Sequence, residues 1–331
     1  MNLVSICLYV SPFIFVNKSN LEGKFMTEKV QVTADRIRKL EVQGARNVAI
    51  AAIQALETLA QGTKAKTREV FVKELYDAKK VLFSSRETEP LMRNAVKSII
   101  TRVEDSDERS VTALAALVSS SSKSFQEKLE ASKEHIAEIG AKRIRNGSVI
   151  LTHCHSSTVT RLLAKAKEDG KTFEVICTET RPALQGRITA KELVALGIKT
   201  TMIVDSAART FMNDVDLVIM GADALTSEGN VVNKIGTSVI ALLAYEARKP
   251  FYVVTELLKF DPATLCGDYE KIEERSPAEI WMEPPHNLII RNPAFDVTRS
   301  DYVHGIICEE GVIPPQSINE VVRRKYPWIF E

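Results

Sequence analysis

The spacing of apolar residues changes character near residue 147, and this change constrains the fold more than any other feature of the 331-residue chain. Before it, apolar residues recur at three- and four-residue steps, the spacing of one helix face. Ala45, Val48, Ala49, Ala52, Ile53, Leu56 and Leu59 mark one helix; Val70, Phe71, Leu75, Ala78 and Leu82 mark a second. Leu91, Ala95 and Ile99 mark a third, and Leu114, Leu117 and Val118 open another. Phe125, Leu129, Ile136 and Ile139 either extend that helix or begin a new one, because Ser119 to Ser122 is a run of moderate helix formers. Asn146-Gly147 supplies a stop.

From Ser148 onward, short β-rich runs alternate with helical stretches. The runs are Val149 to Thr152, Phe173 to Thr178, Thr200 to Val204, Leu217 to Met220 and Pro250 to Val254. The intervening segments are long enough to return the chain for parallel pairing, and continuous apolar runs suit strands buried on both faces. The expected fold is therefore α/β: an all-helical domain over residues 26–146, then a Rossmann-like parallel sheet flanked by helices over 147–331. Neither G-x-G-x-x-G nor G-x-x-x-x-G-K occurs, so neither a standard dinucleotide site nor a P-loop is supported.

Charge and cysteine usage narrow the function. The chain carries 44 basic and 43 acidic residues, a net charge of +1, and so lacks a nucleic-acid footprint in its bulk charge. Its five cysteines, Cys7, Cys154, Cys177, Cys266 and Cys308, are widely spaced without a CxxC, which points to a reducing, cytoplasmic setting rather than a disulfide framework. Residues 1–25 form an apolar extension without a basic n-region, too short to span a bilayer. They are expected to lie outside the fold, with Met26 as the natural start and a targeting segment as the rival reading.

In an open parallel sheet, ligands bind outside the carboxyl ends of the strands. Each expected strand ends there in polar or reactive residues: His153, Cys154 and His155 after the first; Glu179, Thr180 and Arg181 after the second; Asp205 and Ser206 after the third; Asp223 after the fourth; Thr255 and Glu256 after the fifth. Any one such end is ordinary, since loops are polar. Five on one edge make a shared pocket the better reading. Cys154 is the unusual member. Ser156, Ser157 and Thr158 should begin the following helix, whose N–H groups would favour a thiolate or a phosphate. The alternative for Cys154 is a small buried residue at a strand end, which Cys177 resembles. His153-Cys154-His155 does not make a metal site, because adjacent strand-end residues diverge and no second ligand pair has matching spacing. Ten residues after Asp223, Asn233-Lys234-Ile235-Gly236-Thr237 forms a second constellation. Lys234 offers a cation for phosphate, Gly236 allows close backbone approach, and Thr237 or Ser238 could cap the next helix.

Gly221-Ala222-Asp223 followed by Asn233 to Thr237 resembles a superfamily containing the alpha, beta and delta subunits of the eukaryotic initiation-factor guanine-nucleotide exchanger, 5-methylthioribose-1-phosphate isomerase and ribose-1,5-bisphosphate isomerase. His153 to Ser156, Thr178 to Pro182, Val204 to Arg209, Lys259-Phe260, Asn292 to Thr298 and Gly311 to Pro315 look most like the last branch. The resemblance implies a catalytic pair, Cys154 and Asp223, and substrate contacts from Gln43, Gly44, Ala45, Arg46, Arg86, Ser156, Ser157, Thr158, Asn233, Lys234 and Lys259. It implies a sugar-bisphosphate substrate, no metal or other cofactor, no nucleic-acid or membrane partner, a homohexamer built as a trimer of dimers, and a place in AMP breakdown. Gln43 stands where many relatives carry arginine and cannot offer a cationic fork, so Arg46 is expected to compensate. Two other readings stay open: the methylthioribose isomerase, whose substrate would need an apolar subsite, and a non-catalytic regulatory subunit, which would not need the Cys154–Asp223 pair. The aromatic C-terminus, Tyr326 to Phe330, is expected to pack either on its own domain or on a partner.

Overall fold

The computed structural model describes residues 18–86, 89–267 and 271–331. Most of the apolar extension, residues 1–17, lies outside the described residues. Five helices open the chain: α1 (Lys18–Arg38), α2 (Ala45–Gln61), α3 (Arg68–Phe83), α4 (Pro90–Glu104) and α5 (Val111–Ala141). They form for the reason the spacing gives, because each closes one apolar stripe against the others. Val48, Ala49, Ala52, Ile53 and Leu56 of α2 are fully buried, as are Leu75 and Leu82 of α3 and Leu91 and Ala95 of α4. Ser119 to Ser122 does not break α5, which runs unbroken for 31 residues. Ser121 and Ser122 are buried within it, and the Ser120 hydroxyl donates back to Leu117 O at 3.0 Å. Packing overrides the weak local propensity here. Arg68 ties off the end of α4, donating to the carbonyls of Val103 at 3.1 Å and Glu104 at 2.8 Å, and to Ser106 and Glu108 beyond it. No helix among the described residues is long and apolar enough to cross a membrane.

The second part contains β1 (Ser148–Thr152), α6 (Ser157–Glu168), β2 (Phe173–Thr178), α7 (Gly186–Ala195), β3 (Lys199–Ile203), α8 (Ala208–Phe211), β4 (Leu217–Met220), β5 (Ala224–Leu225), β6 (Val231–Lys234), α9 (Thr237–Glu246), β7 (Phe251–Val254), β8 (Phe295–Thr298), β9 (Gly305–Cys308), β10 (Gly311–Ile313) and α10 (Ile318–Lys325). The main sheet has seven strands in the order β10-β9-β7-β4-β1-β2-β3. Six are parallel and β10 joins antiparallel. The five runs seen in the sequence are β1, β2, β3, β4 and β7. The chain lays β2 and β3 on one side of β1, then returns to lay β4, β7 and β9 on the other. The strand order therefore reverses between β1 and β4, which opens a crevice at their carboxyl ends.

Two features depart from the sequence reading. A separate antiparallel sheet, β5-β6-β8, stands beyond the end of β4 and carries Asn233 and Lys234 on β6. Neither Thr237 nor Ser238 caps α9. Gly236 is the N-cap residue with φ of 103°, and the Asp296 carboxylate of β8 accepts from Gly236 N at 2.7 Å and Ser238 N at 3.1 Å. A carboxylate brought by the neighbouring strand supplies what the local hydroxyls do not.

The C-terminus packs on its own chain. Ile329 is buried, Phe330 stacks on Phe260 with ring centroids 5.6 Å apart, and Lys97 of α4 donates to Ile329 O at 3.1 Å. Tyr326 donates its hydroxyl to Glu309 at 3.0 Å. The tail thus fastens the helical part to the sheet.

Candidate active site

Cys154 follows β1 and Asp223 follows β4, so the two flank the crevice at the reversal of strand order. Gly221 lets these ends close together: a Cβ there would lie 2.8 Å from the Ser156 side chain. Cys154 takes a left-handed backbone conformation, φ 65°, which is unusual for a residue with a Cβ. The end of β2 and helix α7 hold it there. Its N–H donates to Thr180 Oγ1 at 2.9 Å, and its carbonyl accepts from Thr189 Oγ1 at 2.8 Å. Thr180 is itself pinned by Asp205 after β3, which accepts from the N–H groups of Thr180 at 2.8 Å and Arg181 at 2.7 Å.

The flanking histidines are structural. His153 lies 2.9 Å through Nε2 from Ile235 O and 2.5 Å through Nδ1 from Thr178 Oγ1. A carbonyl only accepts, so Nε2 carries the proton and Nδ1 accepts from the threonine. Burial pushes the His153 pKa below its ordinary value, in keeping with a neutral ring. His155 turns its ring to Thr189 at 3.2 Å and Glu192 at 3.8 Å.

The thiolate expected from the start of α6 is not the resting form. Burial pushes the Cys154 thiol up to about 11, against the pull of Lys234 and of the His155 N–H, and the charges of Asp223 and Asp205 push it further. Ser156 caps α6 by accepting from Val159 N at 3.4 Å, while Thr158 points elsewhere, donating to Glu256 at 3.4 Å. Ser157 is the first residue of the helix.

Two groups of cations border the pair. Glu256, buried after β7, gathers Arg46 at 3.6 Å and Lys259 at 3.4 Å. Burial pushes the Glu256 carboxyl up, but Lys259, its backbone hydrogen bond and Arg46 outweigh it, and the net pKa falls. Lys259 also donates to Ala222 O at 2.7 Å, beside Asp223. Arg46 donates to Leu129 O at 2.9 Å and pairs with Glu130. Gln43 does not join this group: it is exposed, and its amide returns to Leu40 O at 3.0 Å. Gly44, with φ of 84°, and buried Ala45 start α2 and aim Arg46 inward.

The second group rests on the buried ring of Phe295. Lys234 Nζ lies 5.1 Å and the Arg86 guanidinium 5.8 Å from its centroid. Lys234 has no ion pair among the described residues, whereas Arg86 pairs with Glu89 at 2.9 Å and Glu273 at 3.3 Å. Burial lowers the Arg86 pKa, but Glu89, Glu273 and Asp223 outweigh it and raise the net value. Asn233 is turned into the protein, donating to Thr237 Oγ1 at 2.9 Å.

The sequence reading did not single out Glu89 or Phe295, and it took Glu256 only as a polar strand end. Glu256-Leu257-Leu258-Lys259 carried a usable signal, since the pair meets across one 3₁₀ turn. Nothing local marks Glu89 beyond its place before Pro90. A cavity of about 770 Å³ lies elsewhere, between α4, α5 and the C-terminal tail, and holds none of the expected site residues.

A doubly wound sheet with a cysteine and an aspartate across its switch point, bordered by clustered cations, defines an α/β protein with a candidate site at that switch point. The chain belongs to the initiation factor 2 subunit family, which it matches over residues 41–315. It is 40% identical to the ribose 1,5-bisphosphate isomerase of Pyrococcus furiosus over 93% of this chain and 98% of that one. It is 41% identical to the protein of that name from Thermococcus kodakarensis, over 92% and 97% of the two chains. The solved structure of the Pyrococcus horikoshii OT3 translation initiation factor eIF-2B superposes with a TM-score of 0.75 at 32% identity, covering 87% of this chain and 98% of that one. Within the family, the chain is an isomerase.

Proposed function

We propose that the chain converts ribose 1,5-bisphosphate to ribulose 1,5-bisphosphate. The observation that carries this reading is the placement of Cys154 and Asp223 across one crevice, with Lys234, Arg86, Lys259 and Arg46 gathered near it. Lys234 and Arg86 against Phe295, and Lys259 and Arg46 against Glu256, make two groups of cations, which suits a ligand carrying two anionic groups. A thioether-bearing sugar would instead want an apolar wall where these charges stand.

The chemistry needs one proton donor and one base. Asp223 as an acid protonates the ring oxygen, while Cys154 as thiolate removes the C2 proton. The C1–ring oxygen bond breaks as the C1–C2 double bond forms, leaving a phosphorylated enol. Asp223, now a carboxylate, takes the C2 hydroxyl proton, and the Cys154 thiol returns its proton to C1. Both groups end as they began. Each such step contributes about 10²–10⁴-fold. The raised thiol pKa means that the thiolate is a minor form of Cys154 near neutral pH. Lys234 favours it. In this reading the protein is a cytoplasmic enzyme of AMP breakdown, acts as a homohexamer and takes the sugar bisphosphate, not nucleic acid, as its partner. The test is incubation with ribose 1,5-bisphosphate and, separately, with 5-methylthioribose 1-phosphate. A ketose from the first and little from the second is expected; the reverse preference would overturn the assignment.

A further inference from the structure

Glu256 is buried just past the end of β7, with 1% of its surface exposed, so it acts on a ligand only through its neighbours. Its oxygens face three elements. Oε1 accepts from Thr158 Oγ1 of α6 at 3.4 Å and lies 3.6 Å from Arg46 Nη1 of α2. Oε2 lies 3.4 Å from Lys259 Nζ and receives no well-directed hydrogen bond among the described residues. A buried carboxylate kept short of hydrogen bonds is costly, since buried charges are normally both paired and hydrogen-bonded. A glutamine of the same shape could accept from Thr158 without that cost. The charge therefore serves the two cations, and Lys259 is the one next to the chemistry. Its ammonium donates to Ala222 O at 2.7 Å, and Ala222 precedes Asp223.

Building on the phosphate contact proposed for Lys259, we infer that Glu256 is a positioning residue that aims Lys259 at a phosphate of the substrate. Lysine is a point charge on a flexible stem, and its three N–H groups rotate freely. Ala222 O takes one of them and Glu256 draws a second. Two fixed anchors set the direction of the third, which is left for a ligand oxygen. Binding then needs no further ordering of the side chain, which is the gain of preorganisation. Arg46 and Thr158 hold the carboxylate by its other oxygen, so α2 and α6 fix where Lys259 points.

The experiment measures kcat and KM for ribose 1,5-bisphosphate in wild type, Glu256→Gln, Lys259→Ala and the double variant. In Glu256→Gln, KM should rise about tenfold, the cost of one charge-assisted hydrogen bond, with kcat changed less than about threefold. The sign decides against an effect of charge alone, because removing a carboxylate near a phosphate would lower KM. In the Lys259→Ala background, Glu256→Gln should raise KM no further, since its effect passes through the missing lysine. An equal rise in both backgrounds would mark a structural role. That result, or an unchanged or lower KM in Glu256→Gln, would overturn the inference. Should Glu256→Gln fail to fold, Glu256→Asp carries the same cycle. Its carboxylate sits one methylene back, so KM should rise by a smaller step that vanishes beside Lys259→Ala, and a step that persists would count against the inference. Calorimetric binding of ribose 1,5-bisphosphate to the same variants separates this role from the proposed reaction. Absence of ketose from wild type would remove the reaction, while a loss of affinity in Glu256→Gln that disappears without Lys259 would still support the positioning role. Equal affinity in wild type and Glu256→Gln would overturn it.

Discussion

The reactive residues owe their properties to what surrounds them. Cys154 is an ordinary thiol made a weak acid by burial and partly restored by Lys234. Its alkylation by iodoacetamide should therefore be slow at pH 7 and rise about tenfold per pH unit toward about 11. Peptide mapping should distinguish it from exposed Cys266. Lys234→Ala should slow it further; an apparent pKa near that of a free thiol would contradict the burial argument. Cys154→Ser should lose nearly all turnover with the fold intact, since a hydroxyl cannot supply the base. Asp223→Asn should cost at least ~10²-fold in kcat while leaving substrate binding largely unchanged. Lys234→Ala and Lys259→Ala should each raise KM more than Lys123→Ala does, Lys123 being a surface residue with its side chain 80% exposed. Lys171 would be a poor control, because it donates to Ala141 O at 2.7 Å and Ile144 O at 2.8 Å. Equal KM for all three variants would refute the phosphate contacts.

At the scale of elements, the sequence was most legible where one physical signal dominated. Four of the five strands could be read as short apolar runs largely buried in the sheet, while β3, a largely exposed edge strand, was legible from its threonines. Cys154 and Asp223 followed from strand ends alone, but their meeting depends on the reversal of strand order, which no local pattern encodes. The strands β5, β6, β8, β9 and β10 were missed: they are two to four residues long, and β6 and β8 mix polar with apolar positions. The cap of α9 was missed for a related reason, because Asp296 arrives from a strand 58 residues beyond Ser238. Close packing of elements also gives a test. Gly221→Ala would set a methyl 2.8 Å from Ser156, forcing the β1–α6 turn away from the end of β4. Overpacking of this kind costs about 1–3 kcal/mol. Turnover should fall more than the melting temperature suggests, since the shift falls on Cys154; wild-type activity would contradict the close approach.

At the scale of the whole molecule, the C-terminal tail is a fastener, so its removal should act on stability before assembly. Glu309 anchors it, accepting from Tyr326 and from Leu257 N at 3.1 Å. Burial raises this carboxyl to about 7, above its unfolded value of 4.5, so the folded state holds the proton more tightly. Its stabilising contribution is full below about 4.5 and is lost as pH rises through about 7. Glu309→Gln should therefore melt higher than wild type at pH 8 and lose that advantage at pH 5; a constant difference would exclude the linkage. The proposed hexamer rests on other surfaces. Val239, Leu242 and Tyr245 of α9 are exposed apolar residues on one helix, the kind of patch that partners cover. Light scattering should show an oligomer at micromolar concentration that survives loss of residues 326–331, and a monodisperse monomer would refute it.

The central claim is that Cys154 and Asp223 move protons between C1 and C2 of a bisphosphorylated ribose. It is tested most directly by turnover of ribose 1,5-bisphosphate in heavy water, followed by proton NMR of the product. Wild type should yield ribulose 1,5-bisphosphate in which the C1 hydrogen is carried over from C2, with solvent deuterium entering only to the extent that the Cys154 thiol exchanges before returning it, and Cys154→Ser should yield almost no ketose. Absence of ketose from wild type, or ketose formed equally fast by Cys154→Ser, would contradict the account.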